Sequence, residues 1–218
     1  FIFRIRANHE YPMLVCLLLA LIGLVRVAEG RSLGLGLVAL GLTAGLFIKG
    51  VFAIKILLAL GLWVLVNPTG HDATRLRQIG AIAIGIMVML IGGVTYDFWY
   101  RAITAEGFWG PYWQRQMGPL AAVTPWEIAF VVLRNIVFYV SRLVWHPAPW
   151  SFAIVLAAWR MRGRFRAAWI AMPQSSRRGV MFTMTFAALA VLILSPAARY
   201  AERYAFSATY AVACAGVV

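Results

Sequence analysis

The residues of this sequence that are best suited to chemistry are polar groups at the borders of long apolar runs. Glu10 stands immediately before the first apolar run, where the dipole of a beginning helix favours a carboxylate. That position suits both a catalytic carboxylate and a charge that only caps the helix. Lys49 stands between two apolar runs with almost no loop around it, so its ammonium group must either snorkel to the surface or meet an anion.

The segment 109–116 combines aromatic rings with polar side chains. It is too polar for lipid, and its candidate contacts to an acceptor or a lipid are Tyr112, Gln114 and Gln116. An aromatic belt at the membrane interface is the alternative interpretation of the same rings.

A second charged and aromatic segment lies near the end of the sequence, at 199–204. The guanidinium groups of Arg199 and Arg203 suit a phosphate or an anionic lipid, with Tyr200 beside them. A local pair between one of these arginines and Glu202, which caps the last apolar run, is the alternative.

Metal binding is the weakest of the chemical patterns. His9 and Glu10 are adjacent, and His146 joins them if the chain folds back, so the three are a candidate site for a divalent ion. The sequence has no phosphate-binding glycine loop, no dinucleotide-binding fingerprint and no zinc-type ligand spacing.

Composition determines which elements must position these groups. Hydrophobic residues make up 63% of the 218 residues, only 12% are charged, and the mean hydropathy is +0.82. A water-soluble domain does not carry so much apolar surface, so we expect an all-α, polytopic transmembrane helical bundle. The net charge of +13 is spread between apolar runs rather than gathered in one stripe, which excludes a nucleic-acid partner.

The apolar runs predict about seven membrane spans plus an interfacial helix. An outer loop at 97–148 contains that helix at 127–145, although a span that lines a polar cavity fits the same run. Small residues of the second span, Gly34, Gly36, Gly41, Ala44 and Gly45, predict close helix packing. The predicted spans are 11–28, 33–48, 51–66, 79–96, 150–159, 179–194 and 204–218.

Basic residues predict the orientation, because loops on the cytoplasmic side are rich in Lys and Arg. With the beginning of the segment outside, the inner loops are 26–32, 67–78 and the basic loop 160–178. These three loops hold half of the 20 basic residues: Arg26, Arg31, Arg75, Arg77, Arg160, Arg162, Arg164, Arg166, Arg177 and Arg178. The predicted location is the bacterial inner membrane, with multiple spans.

Three motifs, in order, resemble the polyprenyl-phosphate-dependent GT-C glycosyltransferases, specifically the bacterial aminoarabinose-transferase and protein O-mannosyltransferase-like superfamily. Glu10-Tyr11-Pro12 resembles the family's acidic-x-Pro start of a central helix. The glycine-rich helix that closes in Lys49-Gly50 is followed at once by another span, as in that family. The segments 108–116 and 145–150, followed by Arg199-Tyr200, then follow its outer loop and final helices.

The resemblance covers nearly the whole chain and implies a transferase that uses a polyprenyl-phosphate sugar at the outer membrane face. It implies that Glu10 is the acidic group near the metal or the acceptor, and that Lys49, Arg115 and Arg199 bind the donor phosphate. The family's first outer loop, with its acidic catalytic pair, has no counterpart here, and 201–206 departs from the usual proline-containing continuation. Because the chain begins at Phe1, we expect a single transmembrane domain that is a fragment of a longer enzyme.

A second hypothesis explains the missing catalytic part differently. The chain is then a non-catalytic transmembrane subunit derived from such an enzyme, retained for its helical surface in a larger respiratory, photosynthetic or transport complex. Its partners are membrane lipids and other membrane subunits in place of the sugar donor.

Overall fold

The computed structural model describes residues 10–66, 72–117, 124–195 and 206–217 of the chain. Regular structure in these ranges is helical, with no β-strand among them, so the predicted all-α class is confirmed. A 3₁₀ helix, Gly50–Ala53, joins α2 to α3. The described α-helices are α1 (Glu10–Ala28), α2 (Leu33–Lys49), α3 (Ile54–Val66), α4 (Asp72–Thr104), α5 (Trp109–Met117), α6 (Pro125–Trp145), α7 (Trp150–Arg160), α8 (Phe165–Ala171), α9 (Gln174–Leu194) and α10 (Phe206–Val217).

Four helices in the described ranges are long and apolar enough to cross a membrane. In lipid, a spanning segment must satisfy its backbone hydrogen bonds internally, which long helices do. Three more apolar helices, α2, α3 and α7, are shorter. The four long segments are Glu10–Ala28, Ala73–Thr104, Pro125–Trp145 and Gln174–Ile193.

The chain divides into two compact units, Phe1–Gln114 and Arg115–Val218. In the first unit, α1 and α2 pack backbone against backbone. A Cβ atom on Gly34 would lie 2.6 Å from the backbone nitrogen of Val27, and one on Gly41 would lie 2.6 Å from the carbonyl oxygen of Cys16. The predicted close packing is confirmed at these two glycines, while Gly36 faces open space.

Contacts along the helices give the order of the first unit. Lys55, at the start of α3, meets Glu10 at the start of α1. Trp63, near the end of α3, lines a groove with Val25, near the end of α1, so these two helices run in the same direction. Gly85 of α4 packs against Leu42, and Gly93 packs against Leu46, so α4 follows the direction of α2. The start of α1, the α2–α3 connection and the second half of α4 therefore lie at one end of this unit.

The structure corrects the predicted borders after residue 66. Helix α4 continues to Thr104 rather than ending at 96, because Asp97 and Arg101 form an ion pair of 2.8 Å one turn apart. Helix α5 lies inside the predicted outer loop at 97–148, before the helix that was predicted there at 127–145. The basic segment 160–178 is also partly helical, since it contains α8 and the first turn of α9.

In the second unit, α10 packs against α9 and α7. The contact is made of small residues, with Ala190 and Ala208 fully buried. Helix α6 begins in a reciprocal cap, in which Thr124 and Glu127 bond each other's backbone nitrogens. The buried Asn135 amide of α6 donates to the carbonyl oxygen of Ser195 at 2.8 Å, which ties α6 to the end of α9.

Candidate functional site

The most unusual group of side chains in the described structure is a buried cluster of three charges in the first unit. The Glu10 carboxylate and the Lys55 ammonium group are each only 1% exposed, and Lys49 is 9% exposed. Lys55 Nζ lies 3.2 Å from Oε2 of Glu10, and Lys49 Nζ contacts Oε1 of the same carboxylate. We call these three residues the charge trio. Two ammonium groups facing one carboxylate give the trio a formal charge of +1.

Three helix termini bring the trio together. Glu10 begins α1 and Lys49 ends α2, so both charges suit the dipoles of their own helices. Lys55 lies in the first turn of α3, where the dipole disfavours a cation, and its ammonium group donates to the Glu10 carboxylate. Breaking a buried ion pair by removing one partner costs about 3–5 kcal/mol, so the trio contributes to the stability of this end of the unit.

The turn that carries Lys49 is fixed by Gly50 and Tyr112. Gly50 has φ +57°, a left-handed conformation that residues with a Cβ adopt only at a cost. A Cβ there would also lie 2.8 Å from Cε1 of Tyr112. The Tyr112 hydroxyl donates to the carbonyl oxygen of Lys49 at 3.1 Å. Tyr112 therefore lies directly on the turn and holds Lys49 by its backbone.

Helix α5 is itself anchored to α4. Oδ1 of Asp97 accepts from the backbone nitrogens of Phe108, at 2.6 Å, and Trp109, at 3.1 Å, which satisfies two donors at the start of α5. The Trp109 indole donates to the carbonyl oxygen of Gly93 at 2.8 Å. The Phe108 ring stacks on Tyr112 at 5.7 Å between centroids. These contacts give Tyr112 a fixed platform.

The structure brings together three of the residues singled out from the sequence. Glu10 and Lys49 are in contact, and Tyr112 reaches Lys49 through its backbone. The Gln114 side chain is exposed, and the His146 side chain is exposed in the turn after α6, in the second unit. The remaining predicted positions lie outside the described residues or have side chains outside them: His9, Arg115, Gln116, Arg199, Tyr200 and Arg203.

The described surroundings of Glu10 suit an anion better than a metal cation. Its two oxygens face ammonium groups, which repel a divalent ion. No group of three or more His, Cys, Asp or Glu residues within metal-binding reach occurs in the part of the chain that the structure describes. A metal held by His9, Glu10 and His146 stays a prediction.

Sequence reasoning missed two residues of this end of the unit. Lys55 was counted inside an apolar span, although a lysine in the first turn of such a helix is itself a signal of a buried charge partner. Asp97 was not singled out because the aromatic residues around it mark a membrane interface. Its spacing of four from Arg101 was the available sign that the helix continues.

A shallow groove lies at the other end of α1. It has a volume of about 300 Å³ and is lined by Leu21, Ile22, Val25, Arg26, Glu29 and Trp63. At its rim, Glu29 pairs with Arg26 at 3.1 Å and with Arg31 at 3.5 Å, and all three side chains are exposed. Like the end with the charge trio, this end of the unit therefore has a carboxylate between two cations, but here the three side chains are exposed to solvent.

Comparison with known proteins adds no relative. The chain matches no family model, no curated protein and no solved structure.

Proposed function

We propose that the chain is a membrane glycosyltransferase-like protein that holds the phosphate of a polyprenyl-phosphate sugar at the charge trio. The observation that carries the proposal is the burial of two ammonium groups against one carboxylate at one end of the first unit. Ammonium groups attract the negative charge of a phosphate, and lysine is a common point-charge ligand of phosphate. Arg115, Arg199 and Arg203 are further proposed phosphate ligands, and Tyr112, Gln114, Gln116 and Tyr200 are proposed acceptor or lipid contacts.

The proposed reaction is an inverting transfer. The bond between the anomeric carbon and the phosphate oxygen breaks, the acceptor oxygen bonds to that carbon, and polyprenyl phosphate leaves. The acceptor hydroxyl proton goes to a carboxylate, for which Glu10 is the predicted base. Because both Glu10 oxygens face lysines, this role requires Lys49 to turn toward the phosphate and free one oxygen. Glu10 also holds the two lysines in position before donor binding.

The proposed topology has about seven spans in the bacterial inner membrane, with 127–145 as an interfacial helix and the charge trio at the outer face. The arrangement of the first unit supports it. Arg26 in the last turn of α1 and Arg31 just after this helix lie at the end opposite the trio. Arg77 approaches Gly30 there, with Nη1 4.0 Å from the position of a Cβ. Arginines at that end fit the cytoplasmic side.

The test is sugar transfer by the full-length protein in proteoliposomes that contain a polyprenyl-phosphate donor labelled in its sugar and total membrane lipid as acceptor. We expect Lys49→Gln to lower transfer at least about tenfold, the effect of one charge-assisted contact. Arg31→Gln, which removes a cation at the opposite end of α1, serves as the matched control and should change transfer less than about twofold. Equal loss in both variants, with the fold intact, overturns the phosphate role of Lys49.

The second candidate function is a non-catalytic transmembrane subunit of a larger membrane complex. The observation that favours it is the pairing of both Glu10 oxygens with lysines, because a carboxylate held in this way is a poor base. A full-length protein that transfers no sugar but co-purifies with other membrane proteins at a fixed ratio supports this function and overturns the first.

A further inference from the structure

The connection between α7 and α9 carries a dense group of arginines. Arg160 ends α7, and Arg177 and Arg178 lie in the first turns of α9. No Asp or Glu occurs in the sequence between Glu127 and Glu202, so this stretch of the chain is strongly basic. We call the group the α7–α9 arginine surface; its members are Arg160, Arg162, Arg164, Arg166, Arg177 and Arg178.

The two helices that flank these arginines share a packing partner. Helices α7 and α9 both pack against α10, and the connection 161–173 joins the end of one to the start of the other. Helix α9 is long and apolar enough to cross a membrane, and its apolar part begins directly after Arg178. If α9 spans, its first turn lies at the boundary of the hydrocarbon core, where lipid headgroups are.

The exposed side chains of this connection are of two kinds that suit a lipid interface. The four arginines from 160 to 166 are exposed, and so are the apolar side chains of Trp159 and Ile170, at 64% and 62%. The Arg162 guanidinium lies 5.8 Å from the centroid of the Trp159 ring. Tryptophan rings favour the headgroup level of a bilayer, and guanidinium groups bind phosphate with two parallel hydrogen bonds.

We infer that the α7–α9 arginine surface binds anionic phospholipid headgroups of the membrane that holds the chain. Clusters of four to eight basic residues beside a membrane helix are typical of binding to anionic lipids, and this surface has six arginines. A soluble polyanion such as RNA is disfavoured, because the surface is flanked by the apolar helices α7 and α9 and carries the exposed apolar side chains of Trp159 and Ile170. The inference is independent of sugar transfer.

The experiment compares two matched pairs of exposed arginines in the full chain. Arg162→Gln with Arg164→Gln alters the arginine surface, while Arg75→Gln with Arg77→Gln removes two exposed charges at the start of α4, close in sequence to Asp72. Each protein is reconstituted in nanodiscs of equal phosphatidylglycerol and phosphatidylcholine. The lipids that remain bound after extraction into detergent are counted by native mass spectrometry.

We expect the wild-type protein to retain phosphatidylglycerol in preference to phosphatidylcholine. In the 162/164 variant the ratio of bound phosphatidylglycerol to bound phosphatidylcholine should fall at least about tenfold. The 75/77 variant should lose less than about twofold. Replacing the same two positions with lysine keeps the charge without the planar fork and should give an intermediate value. An equal loss in both glutamine variants, or no loss in either, overturns the inference. So does a 162/164 variant that keeps its lipids but no longer binds a single-stranded RNA probe.

Discussion

Two carboxylates at opposite ends of α1 are each held between two cations, but in different surroundings. Glu10 meets Lys49 and Lys55 in the interior, with at most 9% of any of the three side chains exposed. Glu29 meets Arg26 and Arg31 at the surface, where the three side chains are 40% to 63% exposed. The contacts are alike in kind, so burial is what separates them.

Burial determines which end of α1 suits a chemical role. Charges in solvent are screened and exchange partners at little cost, so the Glu29 cluster contributes little beyond topology. Charges taken out of water depend on their partners, and a ligand that changes the charge of the trio changes the stability of the whole end. The Glu10 end therefore suits the binding of a charged substrate.

The largest expected effect comes from removing the shared carboxylate. Glu10→Gln leaves two buried ammonium groups without their common counterion, and we expect a loss of about 3–5 kcal/mol in the free energy of unfolding. Unfolding by increasing dodecyl sulfate in mixed micelles, followed by circular dichroism, measures it. Adding Lys55→Met to that variant should recover part of the lost stability, because it removes one of the two buried ammonium groups. A Glu10→Gln protein that is as stable as the wild type would contradict the burial of these three charges against one another.

The next effect concerns two glycines with positive φ, one at each end. Gly50→Ala combines a strained backbone with a clash against Tyr112, so we expect a loss of at least about 2 kcal/mol. Gly30→Ala has a similar φ, +79°, but only Arg77 Nη1 near it, at 4.0 Å, so strain alone should cost about 1–2 kcal/mol. The same unfolding measurement ranks them. Equal losses would mean that Tyr112 does not occupy the space beside Gly50.

A smaller effect is expected from the hydroxyl that holds the turn. Tyr112→Phe keeps the ring contacts with Phe108 but removes the hydrogen bond to the Lys49 carbonyl, which should cost about 0.5–1.5 kcal/mol. If the hydroxyl also positions Lys49, this variant should weaken binding of polyprenyl phosphate more than it weakens the fold. A variant that loses stability but binds as the wild type does limits Tyr112 to a structural role.

The smallest effect belongs to the exposed carboxylate. Glu29→Gln should change the free energy of unfolding by less than about 1 kcal/mol, and the change should shrink at high salt. Unfolding in low and high sodium chloride checks both points. A loss near that of Glu10→Gln would remove the distinction between the two ends.

The sequence predicted the first part of the fold well, because there the apolar runs and the helices coincide. The runs at 11–28 and 33–48 became α1 and α2 within one residue, and the glycines between them were a readable packing signal. Helix α4 was underestimated, since hydropathy falls at its aromatic end while the Asp97–Arg101 pair continues the helix. Helix α8 is too short for any apolar periodicity to mark it.

The candidate site was predictable only in part. Glu10, Lys49 and Tyr112 were recognisable as polar or aromatic groups at the borders of apolar runs. Their contacts were not, because the pairing of Lys55 with Glu10 depends on α3 running beside α1, which no local pattern records. The role of Tyr112 likewise depends on a turn at Gly50 that lies 62 positions earlier in the chain.

The most direct measurement for the phosphate role of the charge trio is binding of sugar-free polyprenyl phosphate to the detergent-solubilised full chain, titrated by native mass spectrometry. We expect Lys49→Gln to raise the Kd at least about tenfold, and Arg31→Gln at the other end of α1 to leave it within about twofold. A Kd unchanged by Lys49→Gln, or raised equally by both substitutions, would contradict the assignment of the donor phosphate to the Glu10 end.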